Sequence, residues 1–420
     1  MQGTTSRVDH IPDPGYSSAM DKKIQAHRSI VSEIDMRLFI PLVSNTVLLH
    51  IAVLLERVNT TYRALELDLS VLWIGVISAS FSLLPAILAV PVGRIIDHGH
   101  DALTTWVGSG LVLAACLGFW LIPASAVSLM LNTALLGVGQ LACMAGHQMV
   151  SVRASKGQRG RDAIFGYHMV AIAAGQGIGP FIISWLAGSA AIPPTGLVYA
   201  IGVVVAIVCF GASFGVTAAP AGHRAGGAQG SMRIADLVRV NGLVAYMMAS
   251  VITITGLDII VIYLPVLGAE RNIDAGTIGL LLGVRAAASM FARLVYVPLM
   301  DVLGRMALTC TTMLAPAVAF AFISAPIPLW LMYVAVIVAG LGLGVSATLT
   351  LSGVVDVAPV HARGAALSLR LMGNRVGLVV FPFGASVIAT ASGVGGVFIL
   401  VALLLAGATG GVWRAGQRRE

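Results

Sequence analysis

Twelve apolar stretches, each about as long as a membrane-spanning helix, follow one another along this chain. A helix needs about 20 apolar residues to cross the hydrocarbon layer of a bilayer. The sequence therefore predicts an all-α membrane protein with twelve transmembrane helices. The stretches cover residues 38–58, 72–94, 102–122, 126–150, 163–187, 195–218, 240–264, 276–298, 306–325, 328–353, 364–388 and 393–413.

Composition narrows the class of protein further. Of the 420 residues, 58% are hydrophobic and only 10% are charged, whereas ordinary soluble domains carry about 25% charged residues. Ordinary soluble enzymes are thereby excluded. The 48 glycines favour close helix packing in lipid, because small residues let the backbones of neighbouring helices approach.

The two halves of the chain repeat each other. Asp97 and Asp301 lie 204 positions apart, and each closes a long apolar segment, which begins at Gly75 in the first half and at Gly279 in the second. Such a duplication predicts two pseudo-symmetric bundles of six helices. Nearly the same offset relates Gly137 to Gly340, Gly139 to Gly342, Arg161 to Arg363 and Pro180 to Pro382.

The polar segments set the domain boundaries. Residues 1–36 lack an apolar core followed by a small-residue cleavage site, so we expect a disordered cytoplasmic tail rather than a signal peptide. Residues 219–238 are rich in Gly, Ala and Pro, as expected of a cytoplasmic linker. The predicted order is the tail 1–36, a first bundle 37–218, the linker 219–238, a second bundle 239–413 and a cytoplasmic tail 414–420.

Basic residues concentrate in both terminal segments and in two of the loops between spans. Cytoplasmic loops carry an excess of Lys and Arg, so both termini are expected in the cytoplasm. We expect a monomer in a cell membrane, most simply a bacterial inner membrane. The net charge of +7 then reflects topology and not nucleic-acid binding. The basic residues are Lys22, Lys23, Arg28, Arg37, Arg153, Lys156, Arg159, Arg161, Arg224, Arg233, Arg239, Arg414, Arg418 and Arg419.

Membrane enzymes fit this sequence poorly. It contains no HExxH metal motif, no Gly-x-Ser-x-Gly nucleophile elbow and no phosphate-binding Gly-Lys-Ser loop. All four cysteines fall inside predicted spans, so we expect no disulfide, no metal site and no cofactor. A receptor or scaffold built on a transporter-like fold remains an alternative.

Two equivalent loops resemble a known signature. The segment from Gly93 through Arg94 to Asp97, and the segment from Asp301 through Gly304 to Arg305, resemble the loop motif of the major facilitator superfamily. The first loop has histidines at basic positions, and the second has Val297 where the motif begins with Gly. The resemblance implies a secondary transporter that works by alternating access.

The resemblance also implies a gate on the cytoplasmic side. In the superfamily, the Asp of each half holds the start of a helix in the other half, which would place Asp97 near Gly364 and Asp301 near Ala163. A carboxylate is stabilised at the positive N-terminal end of a helix by about 0.3–1 kcal/mol. The alternative is a pair of solvated helix-end carboxylates.

The fifth span contains Gly175, Gly179 and Pro180 in a pattern that resembles the Gly-x-x-x-Gly-Pro core of proton-coupled exporters in the superfamily. Two glycines four residues apart flatten one face of a helix, and proline removes a backbone hydrogen bond. The resemblance favours export, and the residues themselves predict a helix that can pack closely and bend. Helix packing alone is the alternative interpretation.

Ionisable and polar side chains at membrane depth are expensive, so each needs a partner or a water-filled cavity. The predicted substrate and coupling cavity contains Asn45, His50, Gln140, Gln176, Asp258, Arg285, Asn374 and Arg375. Buried arginine in excess of acid favours an anionic substrate, because the guanidinium fork matches carboxylate and phosphate.

Proton coupling is expected to involve a carboxylate or an imidazole. Asp258 is the preferred proton carrier if no arginine stabilises its ionised form. His50, His168 and His147 are further candidates, although each can equally be a packing residue. The sequence thus predicts proton-coupled export of an anionic or amphipathic small molecule. Proton-coupled uptake of an organic anion is the alternative.

Overall fold

The computed structural model describes residues 34–97, 100–155, 157–217, 236–237, 239–359 and 362–417. Six helices form the first half of the chain. They are α1 (Met36–Glu66), α2 (Val71–Asp97), α3 (Asp101–Leu121), α4 (Ala126–Arg153), α5 (Gly157–Ala187) and α6 (Thr195–Ser213). Side chains cap several helix starts, as where Asp35 accepts from the backbone N–H of Arg37.

The second half begins with α7 (Leu243–Glu270), α8 (Ala275–Leu303), α9 (Arg305–Ser324) and α10 (Leu329–Val357). The segment Arg363–Gln417 covers 55 residues and consists of two helices that meet at a kink at Gly393, where φ is 75°. At about 1.5 Å per residue the whole segment is more than twice the thickness of a bilayer core. We treat residues 363–392 as α11 and residues 394–417 as α12, which gives the twelve predicted spans.

Each half packs as a bundle around its own apolar interior. The duplication is visible in this packing, because Gly137 of α4 lies against the backbone of Phe81 on α2, and Gly340 of α10 lies against the backbone of Arg285 on α8. A Cβ atom at either glycine would overlap a backbone carbonyl oxygen. Glycine therefore allows the same close helix approach at equivalent places in both bundles.

The two bundles meet along α5 with α8, α2 with α11, and α1 with α7. We call the membrane face at which α1 begins the termini face, and the opposite face the far face. A Cβ atom on Gly279 would lie 2.7 Å from the carbonyl oxygen of Pro180 and 2.7 Å from the amide nitrogen of Ser184. Close to the far face, the N–H of Ala275 donates to the carbonyl of Ala190 over 2.8 Å. The far face is therefore closed.

Most of the predicted tail 1–36 and of the linker 219–238 lies outside the described residues. The domain boundaries at these segments, and the assignment of the termini face to the cytoplasm, stay predictions.

Candidate functional site

An ion pair joins the two bundles. Arg57 on α1 donates through Nη1 and Nη2 to the two carboxylate oxygens of Asp258 on α7, over 2.5 and 2.9 Å. The side chains are only 9% and 12% exposed. The guanidinium also lies over the ring of Phe81 at 4.2 Å from its centroid. This bidentate geometry strengthens the pair and fixes the distance between the bundles.

Two further arginines lie near the carboxylate of Asp258. Besides Arg57, Arg285 on α8 and Arg375 on α11 lie within electrostatic range of Asp258. Arg285 is 3% exposed, and its Nε atom has no hydrogen-bond partner among the described residues. The sequence predicted the excess of arginine but not the partner of Asp258, which comes from the first half and not from Arg285.

Two more arginines extend this positive region toward the termini face. Arg293 lies two helical turns beyond Arg285 on α8, and Arg370 lies on α11. Their Nε atoms are buried and have no partner within the described part of the chain. Arg370 donates to the carbonyl of Ala347 over 3.4 Å. Arg293 was missed from the sequence, because it lies at the end of a predicted span where arginine commonly reaches the interface.

The remaining polar residues predicted for the cavity divide between two settings. Gln140, Gln176 and Arg375 are half-buried. Asn374 is 8% exposed and its Oδ1 accepts from the hydroxyl of Ser250 on α7 over 3.1 Å. Asn374 is thus held inside the second bundle, whereas Gln140, Gln176 and Arg375 keep part of their side chains exposed.

Asn45 and His50 are inside the first bundle and not at the surface between the bundles. Asn45 is fully buried, and its Nδ2 donates to the carbonyl of Cys209 on α6 over 2.7 Å. His50 is 2% exposed and pairs through Nδ1 with the carbonyl of Thr46 at 2.9 Å. Asn45 binds α6 and α4 through Cys209 and His147, whereas His50 binds its own helix and lies beside Gly175 of α5.

The glycines of α5 act in packing. Cβ atoms at Gly175 and Gly179 would lie 2.5 Å from the carbonyl of Val47 and 3.0 Å from the amide nitrogen of Leu55, both on α1. Pro180 lies against α8, as described above. The motif therefore packs α5 against α1 of its own bundle and against α8 of the other.

The predicted gate lies at the termini face. The side chain of Asp97 and the surroundings of the side-chain position at Gly364 lie outside what the structure describes. Asp301 is exposed and has no hydrogen-bond or ion-pair partner among the described side chains.

The other predicted gate residues precede Asp97 or follow Asp301 in the sequence. A Cβ atom on Gly93 or Gly304 would meet nothing within 4 Å, and Arg94 is exposed. Arg305 pairs with Asp356 on α10 and donates to the hydroxyl of Ser352 over 2.7 Å. A latch at Asp97 and Asp301 stays a prediction.

Glu56 is a buried acid that faces away from the second bundle. It is fully buried against Gly202 on α6 and beside Cys116 on α3. Neither carboxylate oxygen of Glu56 accepts a hydrogen bond within the described residues. The four cysteines are buried free thiols, and the described residues form no group of three or more His, Cys, Asp or Glu suited to a metal ion.

Two helical bundles, related by duplication and closed on one face around a polar interior, define a secondary transporter of the alternating-access class. The sequence profile of the Major Facilitator Superfamily matches residues 29–266 and 246–419. The chain belongs to the major facilitator superfamily. It is a membrane transporter and not an enzyme. No similar sequence was found among curated proteins.

Solved structures share the fold. The crystal structure of the nucleoside transporter NupG has a TM-score of 0.70 at 11% identity, covering 91% of this chain and 100% of that one. A bacterial homologue of the human lysosomal transporter Spinster, inward-facing and unoccupied, has a TM-score of 0.72 at 12% identity, with coverages of 90% and 96%. A variant of the peptide transporter POT reaches 0.73 at 12% identity, with coverages of 90% and 94%. The prediction of the fold class is confirmed.

Proposed function

We propose that this transporter exports an anionic or amphipathic small molecule in exchange for protons. Both termini face the cytoplasm of a bacterial cell in this proposal, so the closed far face is the periplasmic one. The conformation would then be inward-facing, as the structure of the Spinster homologue is described.

The observation that supports an anionic substrate is the Nε atom of Arg285, which is buried without a hydrogen-bond partner among the described residues. A buried charge without a partner costs several kcal/mol, and it is retained where a ligand supplies the missing charge. Arg375 adds a second cation at similar depth, while Asp258 is already bonded to Arg57. A carboxylate, phosphate or sulfonate group on the substrate would offset this excess of positive charge.

Export is favoured by the likeness of Gly175, Gly179 and Pro180 to the motif of proton-coupled exporters. The same arginines would serve proton-coupled uptake of an organic anion equally well, and this is the second candidate. The direction can be measured. A pH gradient is imposed on right-side-out and on inside-out vesicles. An exporter should accumulate the substrate in the inside-out vesicles, and an uptake transporter should accumulate it in the right-side-out vesicles.

The substrate class can be tested by growth and by substitution. A deletion strain and its parent are compared on a panel of toxic and nutrient organic anions, with matched cations as controls. For the compound found, Arg285→Lys and Arg375→Lys should each reduce transport about 10-fold or more, because ammonium keeps the charge but loses the bidentate fork.

Arg63 provides the matched control. It pairs with Glu66 near the end of α1 and its side chain is 30% exposed, so Arg63→Lys should leave transport unchanged. A cationic substrate, with Arg285→Lys and Arg375→Lys both fully active, would make the arginines structural and contradict the proposal.

A further inference from the structure

Two histidines meet inside the first bundle at one hydroxyl group, and a third pairs with the backbone carbonyl of the same residue. The Oγ1 atom of Thr46 on α1 lies 3.2 Å from Nδ1 of His147 on α4 and 3.2 Å from Nδ1 of His168 on α5. It also lies 2.7 Å from the carbonyl of Leu42. The rings of His147 and His168 meet edge to face at 5.7 Å. Thr46 and His147 are fully buried.

The orientation of Asn45 fixes one proton of His147. The Nδ2 atom of Asn45 must face Cys209, because a carbonyl oxygen 2.7 Å away can only accept. Oδ1 therefore faces Nε2 of His147, at 2.8 Å. An amide oxygen also only accepts, so Nε2 of His147 carries a hydrogen atom in every protonation state.

When His147 is neutral, its Nδ1 atom is bare and must accept. The hydroxyl of Thr46 is then the donor to Nδ1 of His147, and Nδ1 of His168 donates to the hydroxyl oxygen. Thr46 then donates once and accepts once, and the carbonyl of Leu42, 2.7 Å from its Oγ1 atom, receives no hydrogen from it.

When His147 carries a second proton, Nδ1 becomes a donor. The hydroxyl of Thr46 can then turn to donate to the carbonyl of Leu42, which lies 2.7 Å away. Its oxygen accepts from both His147 and His168 through its two lone pairs. Every N–H and O–H group in the network therefore has a partner in the protonated form as well.

The other two histidines lack this property. The Nε2 atom of His168 is buried without a partner in the described residues, so protonating that ring leaves an unsatisfied donor, which costs free energy. His50 pairs at Nδ1 with the Thr46 carbonyl, and no partner is described for its Nε2. His147 is thus the ring whose two nitrogens both have acceptors.

The network has partners for one added proton and not for a second, and a protonated ring of His147 is buried without a counter-charge among the described residues. The titratable groups that face His147 are His168 and His50, with the thiols of Cys143 and Cys209 near Ser109 and Asn45. Within the described part of the chain no carboxylate contacts the network. A second positive ring would be repelled by the first without any compensating charge.

We propose that Nδ1 of His147 reversibly binds a proton and that the hydroxyl of Thr46 turns from His147 to the carbonyl of Leu42 when it does so. The lone pair on Nδ1 forms the new N–H bond, and the ring gains one positive charge. Its role as the coupling-proton site rests on the proposed function. In that role it replaces Asp258, whose carboxylate is bonded to Arg57.

The test is histidine ¹⁵N NMR of the full-length protein in lipid nanodiscs, titrated from about pH 8 down to about pH 4, because burial disfavours the charged ring. The chain has nine histidines, and His147→Gln identifies the signals of His147. We expect one protonated and one bare ring nitrogen at high pH, and two protonated nitrogens at low pH. A ring that keeps its bare nitrogen throughout the titration would overturn the proposal.

Two substitutions at Thr46 separate the hydroxyl from general packing. Thr46→Ser keeps the rotating hydroxyl and should titrate as the native protein does. Thr46→Val leaves protonated Nδ1 without an acceptor and should move the titration of His147 about one to two pH units lower. Equal titration of both variants would contradict the role of Thr46. If Thr46→Val does not fold, the native titration and Thr46→Ser still decide whether His147 binds the proton.

Proteoliposomes distinguish this site from the proposed function. Proton flux driven by the substrate anion is measured with an internal pH dye for the native protein and for His147→Gln. Loss of coupled flux in the variant, with substrate exchange retained, supports the coupling role. Titration of His147 without any coupled flux in the native protein leaves the proton site standing and refutes proton coupling.

Discussion

Asp101 and Arg305 occupy equivalent positions in the two halves of the chain and carry opposite charges. Asp101 begins α3 and lies 2.6 Å from Nε of Arg153 at the end of α4, and Arg305 begins α9 and pairs with Asp356 at the end of α10. Both pairs join the same two helices of their bundles at the termini face. The two halves have kept an ion pair between these two helices, but the acidic and the basic residue have exchanged places.

Burial makes the two pairs energetically different. The side chains of Asp101 and Arg153 are 1% and 10% exposed, whereas those of Asp356 and Arg305 are 48% and 39% exposed. Asp101→Asn should lower the free energy of unfolding by about 3 kcal/mol, and Asp356→Asn by less than about 1 kcal/mol. Thermal unfolding of the detergent-solubilised protein measures both. Equal effects would mean that water reaches Asp101.

The pair of Arg57 and Asp258 should hold the far face closed. Arg57→Gln or Asp258→Asn leaves one buried charge unpaired, which costs about 3 kcal/mol or more in the closed state. Spin labels at Leu121 and Leu329, at the far ends of α3 and α10, should then show a longer distance distribution. The exchanged pair, Arg57→Asp with Asp258→Arg, should restore the short distance.

An unchanged distribution in both single variants would show that helix packing alone closes the far face. The same labels on the native protein supply the reference, and transport of the substrate should fall whenever the distribution lengthens.

Gly279 tests that packing directly. Its close contacts with Pro180 and Ser184 leave no space for a methyl group, so Gly279→Ala should separate α5 from α8 and lengthen the distance between Leu121 and Leu329. Gly384→Ala on α11 is the matched control, because nothing lies within 4 Å of its Cβ position. The control should gain up to about 1 kcal/mol from helix propensity. Closure that survives Gly279→Ala would contradict tight packing there.

The latch prediction concerns the opposite conformation. Asp97→Asn and Asp301→Asn should each reduce the population closed at the termini face, because the attraction between carboxylate and helix start is lost. Spin labels at Ile95 and Leu303, at the termini-face ends of α2 and α8, should shift toward longer distances. Unchanged distances with full transport would make both acids ordinary solvated helix ends.

The fold could be predicted from the sequence because span length is set by the bilayer and the duplication repeats the pattern twice. The boundary between α11 and α12 was also found, since Gly393 begins the last predicted stretch. In the structure the chain is helical on both sides of Gly393, and only this residue leaves the helical region.

The candidate site was predicted only in part. An excess of arginine is visible in the sequence, but the partner of Asp258 depends on how α1 and α7 meet across the two bundles. The rotation of α1 decides that Asn45 and His50 lie inside the first bundle, and no local pattern specifies that rotation. For the same reason, the network of Thr46, His147 and His168 could not be assembled from residues on three separate helices.

The ion pair of Arg57 and Asp258 also limits how far the two halves can be interchanged. By the offset of the duplication, the first-half counterpart of Asp258 is Leu54, and the second-half counterpart of Arg57 is Val261. A chain assembled from two copies of the first half would retain each buried Asp101 and Arg153 pair, yet would present two arginines to two leucines where the bundles meet. Divergence after duplication has thus made the contact surfaces of the two halves complementary. Two copies of the first half would leave two buried arginines without an acid where the bundles meet.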